Sequence, residues 1–144
     1  MDQIDRAILE IMEENSKLGT KEIASQVGLT VTPTYERIKR LEREGVITKY
    51  TIEVDRKKVG KNLQVFCQVS LKEHNFELID QFEKKITALS EVSRCFHIAG
   101  DHDYALLIEV ADMECYEQFL RGSLATIPSI GNVQSSFVMN EITE

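Results

Sequence analysis

The residue types that could do chemistry are densest between Thr30 and Lys49, where hydroxyl, aromatic, acidic and basic side chains alternate. Thr30, Thr32, Pro33, Thr34, Tyr35 and Glu36 come first, followed by Arg37, Lys39 and Arg40, with Lys49 further on. Side chains of these kinds read base edges and hold phosphates. The same face could equally be solvated, since Glu36 and Arg40 form an i, i+4 pair that stabilises a helix without a partner. A second polar stretch, Gly100-Asp101-His102-Asp103-Tyr104, has the composition of a hairpin turn. His74, His97 and His102 lie apart from any nucleophile or acid at recognisable spacing, so no catalytic residue is assigned. Cys67, Cys95 and Cys115 lie in apolar patterns without CxxC or CxxH spacing. They read as buried thiols of a reducing compartment, and neither metal nor cofactor is expected.

The elements around the first stretch read as a helix-turn-helix. Ile23, Ala24 and Val27 make one apolar stripe, with Thr20 as the expected N-cap. Gly28 breaks that helix, and Leu29 turns back to the core. Thr30 or Thr32 caps the next helix, and Pro33 suits its first turn. There Thr34, Ile38 and Leu41 share the inner face, and Gly45 ends the run. Thr32, Pro33, Tyr35 and Glu36 sit at the end that enters a major groove, while Arg37, Lys39, Arg40 and Lys49 are placed for phosphates. Asp2 to Glu14 reads as a supporting helix with Ile4, Ile8, Leu9, Ile11 and Met12 as its stripe. The β-branched run Val46 to Val54 predicts a strand or ribbon like the wing of a winged helix, from which Lys49 and Tyr50 could reach the DNA backbone.

Charge supports this division. The chain of 144 residues has a net charge of −7, which by itself disfavours nucleic acid. Between Thr30 and Lys61, however, nine basic residues face five acidic ones, and beyond Lys61 five basic residues face thirteen acidic ones. Phosphates would meet the first region and be repelled by the second. No apolar stretch is long enough to span a bilayer, and no signal-peptide pattern opens the chain, so no membrane partner and a cytoplasmic location are expected.

The pattern changes past residues 53–60, a charged stretch ending in Gly60 that reads as a linker between a domain at 1–52 and one at 61–144. Leu63 to Leu71 alternates, with Leu63, Val65, Cys67, Val69 and Leu71 on one face. Phe76 to Leu89 is an amphipathic helix. Strands are expected at Val92 to Ala99, Tyr104 to Val110 and Val133 to Ile142, with a second helix over Met113 to Leu124. The order βαββαβ is the ferredoxin-like split motif, so the chain is α+β. A sheet with helices on one face leaves Phe66, Val138 and their neighbours to be hidden by a second subunit, and a homodimer is expected.

Three blocks in fixed order, IDRAILEIMEEN, GLTVTPTYERIKRLEREGVI and GDHDYAL, make the chain similar to the Lrp/AsnC family of leucine- and asparagine-responsive regulators. The resemblance covers nearly the whole chain. It implies a sequence-specific transcriptional regulator of double-stranded DNA that assembles as a homodimer and as higher oligomers such as octamers. It also implies that the Gly100 to Tyr104 turn lies at a subunit interface and holds the backbone of a small amino-acid effector. The chemistry suits: turn N–H groups can receive an α-carboxylate, and Asp103 can pair with an α-ammonium. The family's last strand adds hydroxyl residues at i, i+2. The matching positions here are Val133 and Ser135, so the valine departs from the pattern. Three other readings remain open, one of them a DNA-free interaction module built on the ferredoxin-like domain. Some tetrapyrrole (sirohaem-type) decarboxylases are similar in fold, and an effector-independent architectural DNA-binding protein would need the same helix-turn-helix.

Overall fold

Asp2 caps α1 (Gln3–Glu14). Its carboxylate accepts the Asp5 N–H at 2.8 Å, and the Asp5 carboxylate accepts the Asp2 N–H at 2.9 Å. This reciprocal pair satisfies two donors that the first turn would otherwise leave open. The structure, a computed structural model, describes residues 1–142 and separates into two units, Met1–Glu53 and Val54–Glu144.

In the first unit α2 (Thr20–Val27) starts one residue earlier than its expected cap allows. Gly19 is the N-cap, Thr20 is already helical, and the Glu22 carboxylate accepts the Gly19 N–H at 2.8 Å. Gly28 is left-handed at φ 70°, and the Leu29 N–H donates to the Ala24 carbonyl at 3.0 Å. This stops α2 and lets α3 (Val31–Arg43) leave in a new direction. Gly45, at φ 71°, stops α3 in the same way. Ile8, Ile23, Ile38 and Leu41 form the buried centre, with Ile4, Leu9, Ile11, Met12, Leu18, Val27 and Ile47 packed round it. Leu29, expected to plug this core, is only half-buried. The strand expected over Val46 to Val54 is not formed, because no neighbouring strand offers a ladder. The Leu41 carbonyl takes the Val46 and Ile47 N–H groups instead, and Val46 and Ile52 stay exposed.

The second unit is one antiparallel sheet in the order β2-β3-β1-β4, the ferredoxin-like arrangement. Its strands are β1 (Leu63–Leu71), β2 (Val92–His97), β3 (Tyr104–Val110) and β4 (Ile130–Phe137). β1 alternates as its sequence predicts, and Val65, Cys67 and Val69 have no accessible surface. α4 (Phe76–Thr87) and α5 (Met113–Gln118) press Phe82, Ile86 and Tyr116 onto that face, and Phe119, just past α5, joins them.

α4 stops at Thr87, two residues short of expectation, and three other elements differ in their boundaries, each for a local reason. β2 ends at His97 because the ladder loses its return bond there: the Ile98 N–H still reaches the Asp103 carbonyl at 2.9 Å, but the Asp103 N–H donates to Val69 instead. The last helix is regular only to Gln118, then widens into a π turn over Phe119–Ser123 and tightens over Leu124–Thr126. Gly122 and Ser123 are weak helix formers, and the widened turn still brings both Phe119 and Leu124 into the core. β4 begins at Ile130 and ends at Phe137, rather than running from Val133 to Ile142, because its partner β1 runs out. Phe137 pairs with Val65, and the Val138 N–H reaches the Gln64 carbonyl at 3.0 Å. On the face away from the helices, Phe66 is 51 % exposed and Phe96 49 %. Val138 is half-buried.

Candidate functional site

The buried row Thr34, Ile38 and Leu41 fixes how α3 is rotated, and so fixes what it shows. Val31, Thr32, Pro33, Tyr35 and Glu36 are exposed at its N-terminal end. Thr30 stands at the N-cap position without a side-chain cap bond, and its carbonyl accepts the Thr34 hydroxyl at 2.9 Å. Thr34 has no accessible surface. It therefore drops out of the set of base-reading candidates, as its place on the inner face already implied. Val31, which the sequence reading does not single out, lies open beside them.

Asp5 of α1 is 1 % exposed, and α3 supplies its counter-charges. Arg37 reaches its Oδ1 at 2.7 Å, and Arg40 its Oδ2 at 2.6 Å. Arg37 also donates to Asp2 at 2.7 Å. Burial by itself would raise the Asp5 pKa. The Asp2 N–H and the two guanidinium groups outweigh it and hold the carboxyl below its ordinary value. Asp2 is lowered to about 2, chiefly by the Asp5 N–H and then by Arg37. The i, i+4 pairing of Glu36 with Arg40 is thus replaced by a tie between helices.

Lys39 is held differently. It meets Glu42 at 2.7 Å and lies 5.6 Å from the centre of the Tyr35 ring. The Tyr50 hydroxyl donates to the same Glu42 carboxylate at 2.7 Å. The Lys39 pair is exposed, so it contributes little to stability and can open towards a phosphate. Lys49 is exposed. Further along the basic run, the second unit absorbs charge: Glu109 Oε2 lies 3.2 Å from Arg56 and 3.6 Å from Lys61. That oxygen is buried and makes no aligned hydrogen bond, so its contacts are ionic rather than directional.

The polar turn closes the hairpin between β2 and β3 beside the end of β1. The Asp103 N–H donates to the Val69 carbonyl at 3.0 Å. Its carboxylate accepts the Leu71 N–H at 2.7 Å and meets His74 at 2.7 Å. The Leu71 N–H, and then His74, hold that carboxyl below its ordinary value. His102 bridges the Ser70 hydroxyl at 3.0 Å and the Gln134 side chain at 3.2 Å. The N–H groups of Gly100, Asp101 and His102 meet no protein acceptor among the described residues. A Cβ built on Gly100 would touch nothing within 4 Å. Asp101 is exposed.

The register divides the other candidates. Tyr104 and Val133 both pair with Val69, and Ser135 pairs with Cys67, so all three turn towards the helices. Tyr104 is buried, stacks 4.8 Å from His97 and donates to Glu83 at 2.8 Å. Burial, then Glu83, pushes its hydroxyl far up. Ser135 shares a hydrogen bond with Tyr116, whose hydroxyl burial pushes up to about 12. The structure brings Gly100 to Asp103 together and leaves Val133 and Ser135 on the far side of the sheet's backbone from His102. Gln134 is the β4 residue that meets the turn. The alternation between Val133 and Ser135 was the signal for it. Two surface depressions, beside Glu114 to Gly122 and beside Leu18 to Gln26, include no residue of the turn.

A family model described as a winged helix-turn-helix DNA-binding domain matches residues 1–48, and one described as the Lrp/AsnC ligand binding domain matches residues 64–144. The Bkd operon transcriptional regulator of Pseudomonas aeruginosa is 33 % identical over 142 residues, covering 99 % of this chain and 93 % of that protein. The crystal structure of a transcriptional regulator from Neisseria meningitidis in complex with L-Met superposes with a TM-score of 0.96 at 30 % identity, covering 100 % of this chain and 93 % of that one. An AsnC family transcriptional regulator from Agrobacterium tumefaciens gives 0.95 at 34 % identity, covering 100 % and 94 %.

The Asp5 tie has a measurable consequence. Because the folded pKa values of Asp2 and Asp5 lie below the ordinary 3.8, their stabilisation is complete above that pH and is lost as pH falls through the folded values. Asp5→Asn should lower stability at pH 7 by about 1.5–3 kcal/mol, the range for a hydrogen bond to a charged group. It should also flatten the loss of stability below pH 4, the acid side of the ordinary carboxylate range. Urea unfolding followed at the α1 and α3 amides measures both, and an unchanged midpoint at pH 7 would contradict the tie.

Proposed function

The chain belongs to the Lrp/AsnC family of transcriptional regulators, and from that premise we propose how its own residues bind DNA, sense an effector and assemble. Its DNA-binding role in transcription is that of the family. The observation that carries the rest is the rotation of α3, fixed by its buried row and by Asp5.

α3 enters the major groove by its N-terminal end. Thr32, Pro33, Tyr35 and Glu36 meet base edges, with Thr30 at the mouth of the helix. Lys39 and Lys49 hold phosphates, and Arg37 and Arg40 use the guanidinium edges that Asp5 leaves free. The protein works in the cytoplasm, on double-stranded DNA.

A free amino acid binds at the Gly100 to Tyr104 turn. The unpaired N–H groups of Gly100, Asp101 and His102 suit its carboxylate. Asp103 suits its ammonium, which would share that carboxylate with His74. Val133 and Ser135 support the site from beneath through β4. Val133 packs on the core side of β4, away from the turn, so the preference for an apolar or sulfur-containing effector rests on the Neisseria relative, which holds L-Met. The open face with Phe66 and Phe96 is covered by a second copy of the chain, and dimers assemble further, into higher oligomers such as octamers. An architectural role without an effector is the competing account of the same helix-turn-helix. Nothing observed favours a tetrapyrrole decarboxylase.

Lys39→Ala should weaken binding by a similar factor on specific and random duplexes, with little change in melting temperature. Loss confined to the specific duplex in an anisotropy titration would reassign Lys39 to base reading. For the effector, a thermal-shift screen of the common amino acids should show L-Met or an apolar residue raising the melting temperature at millimolar concentration. Gly100→Val should abolish that shift. No shift for any amino acid would leave the architectural account standing. For assembly, Phe66→Glu with Phe96→Glu should turn the sedimenting species into a monomer, and an unchanged sedimentation profile would place the interface elsewhere.

A further inference from the structure

Val31 and Tyr35 are 46 % and 47 % exposed, one helical turn apart on α3. Single exposed hydrophobic residues are ordinary on a protein surface. These two differ in position. They form one row on the end of the helix proposed to meet base edges, next to the buried row of Thr34 and Ile38 that fixes its direction. A valine in the first turn adds little to the helix itself, because β-branched residues are modest helix formers. It packs against neither of the buried clusters. The Tyr35 ring is steadied by Lys39, which is itself held by Glu42.

From this row we infer that Val31 and Tyr35 form an apolar ridge that recognises the 5-methyl groups of thymine in the operator. The inference rests on the proposed entry of α3 into the major groove and names what two of its residues read there. Thymine is the base that offers a methyl group in that groove, and apolar side chains are its complement. Side chains at i and i+4 stand about 5–6 Å apart, while successive bases rise about 3.4 Å along a strand. The ridge therefore spans one to two base steps and selects thymines at that separation. Thr32 and Glu36, on the adjacent row, are left to make hydrogen bonds to neighbouring bases.

The test uses the full-length protein and a duplex selected by it from a random pool. Each thymine of the selected site is replaced in turn by deoxyuridine, which keeps every hydrogen-bonding group and removes only the methyl. Wild type should lose about fourfold in affinity at two positions one to two steps apart, the worth of one buried methyl group. Val31→Ala should be insensitive to deoxyuridine at one of them, and Tyr35→Ala at the other. Both variants should melt with wild type, since neither side chain is buried. If no thymine in the selected site is sensitive to its methyl, or both variants keep the wild-type pattern, the ridge does not read thymine. If no specific duplex can be selected, the base-reading role of α3 fails, and this inference falls with it.

Discussion

The Asp5 carboxylate, shut away from water in α1, faces two arginines that belong to α3. An ion in that position must be matched, or its desolvation would cost several kcal/mol. Matching it fixes where α3 lies and how far it is rotated. The three-helix core has four buried hydrophobic residues at its centre, and a unit of this size buries little apolar surface. An ionic tie with defined directions adds what that core cannot, a single orientation for α3. The rows on α3 follow from it: Thr34 and Ile38 turned in, Val31 and Tyr35 turned out, Arg37 and Arg40 turned back.

In the second unit the comparable constraint is register. β1 lies at the centre of the sheet's pairing, with β3 on one side and β4 on the other. Once Val69 faces Tyr104 and Val133, the side on which every neighbouring residue lies is decided. The polar turn is built onto the end of that strand. Asp103 completes the hydrogen bonding of Leu71, and His102 joins Ser70 to Gln134. The turn thus bridges β1 and β4, so a ligand seated on it would press on a strand that reaches across the sheet.

Much of this was legible in the residues. The stripes of α1, α2 and α3 and the alternation of β1 are strong periodic signals, and Gly28 and Gly45 fall where left-handed backbone is needed. What was missed depended on partners that a linear reading does not supply. The run from Val46 has the composition of a strand but no neighbour to pair with. β4 had to be shifted because its end is set by where β1 begins. Thr20 looked like a cap until Glu22 took the Gly19 N–H. Arg37 and Arg40 looked like surface cations because nothing in their own helix reveals a buried aspartate thirty-odd residues earlier. In β4, the family pattern drew attention to Val133 and Ser135, and alternation alone would have pointed to Gln134.

The pairing of cations on α3 also bears on how association responds to ions in solution. A lysine or arginine in water meets a phosphate by expelling a condensed cation from the DNA, and that release makes affinity fall with added salt. Here Arg37, Lys39 and Arg40 already carry carboxylates of their own chain as built-in counterions. If they meet phosphates as proposed, each of them would exchange one anion for another, and part of the entropy won from the released cations would be offset by the parted internal pair. The protein would therefore gain less indiscriminate attraction to DNA than its basic residues suggest. Choice among sites would then fall to the exposed row of Val31, Thr32, Tyr35 and Glu36, which carries no ion pair of its own among the described residues.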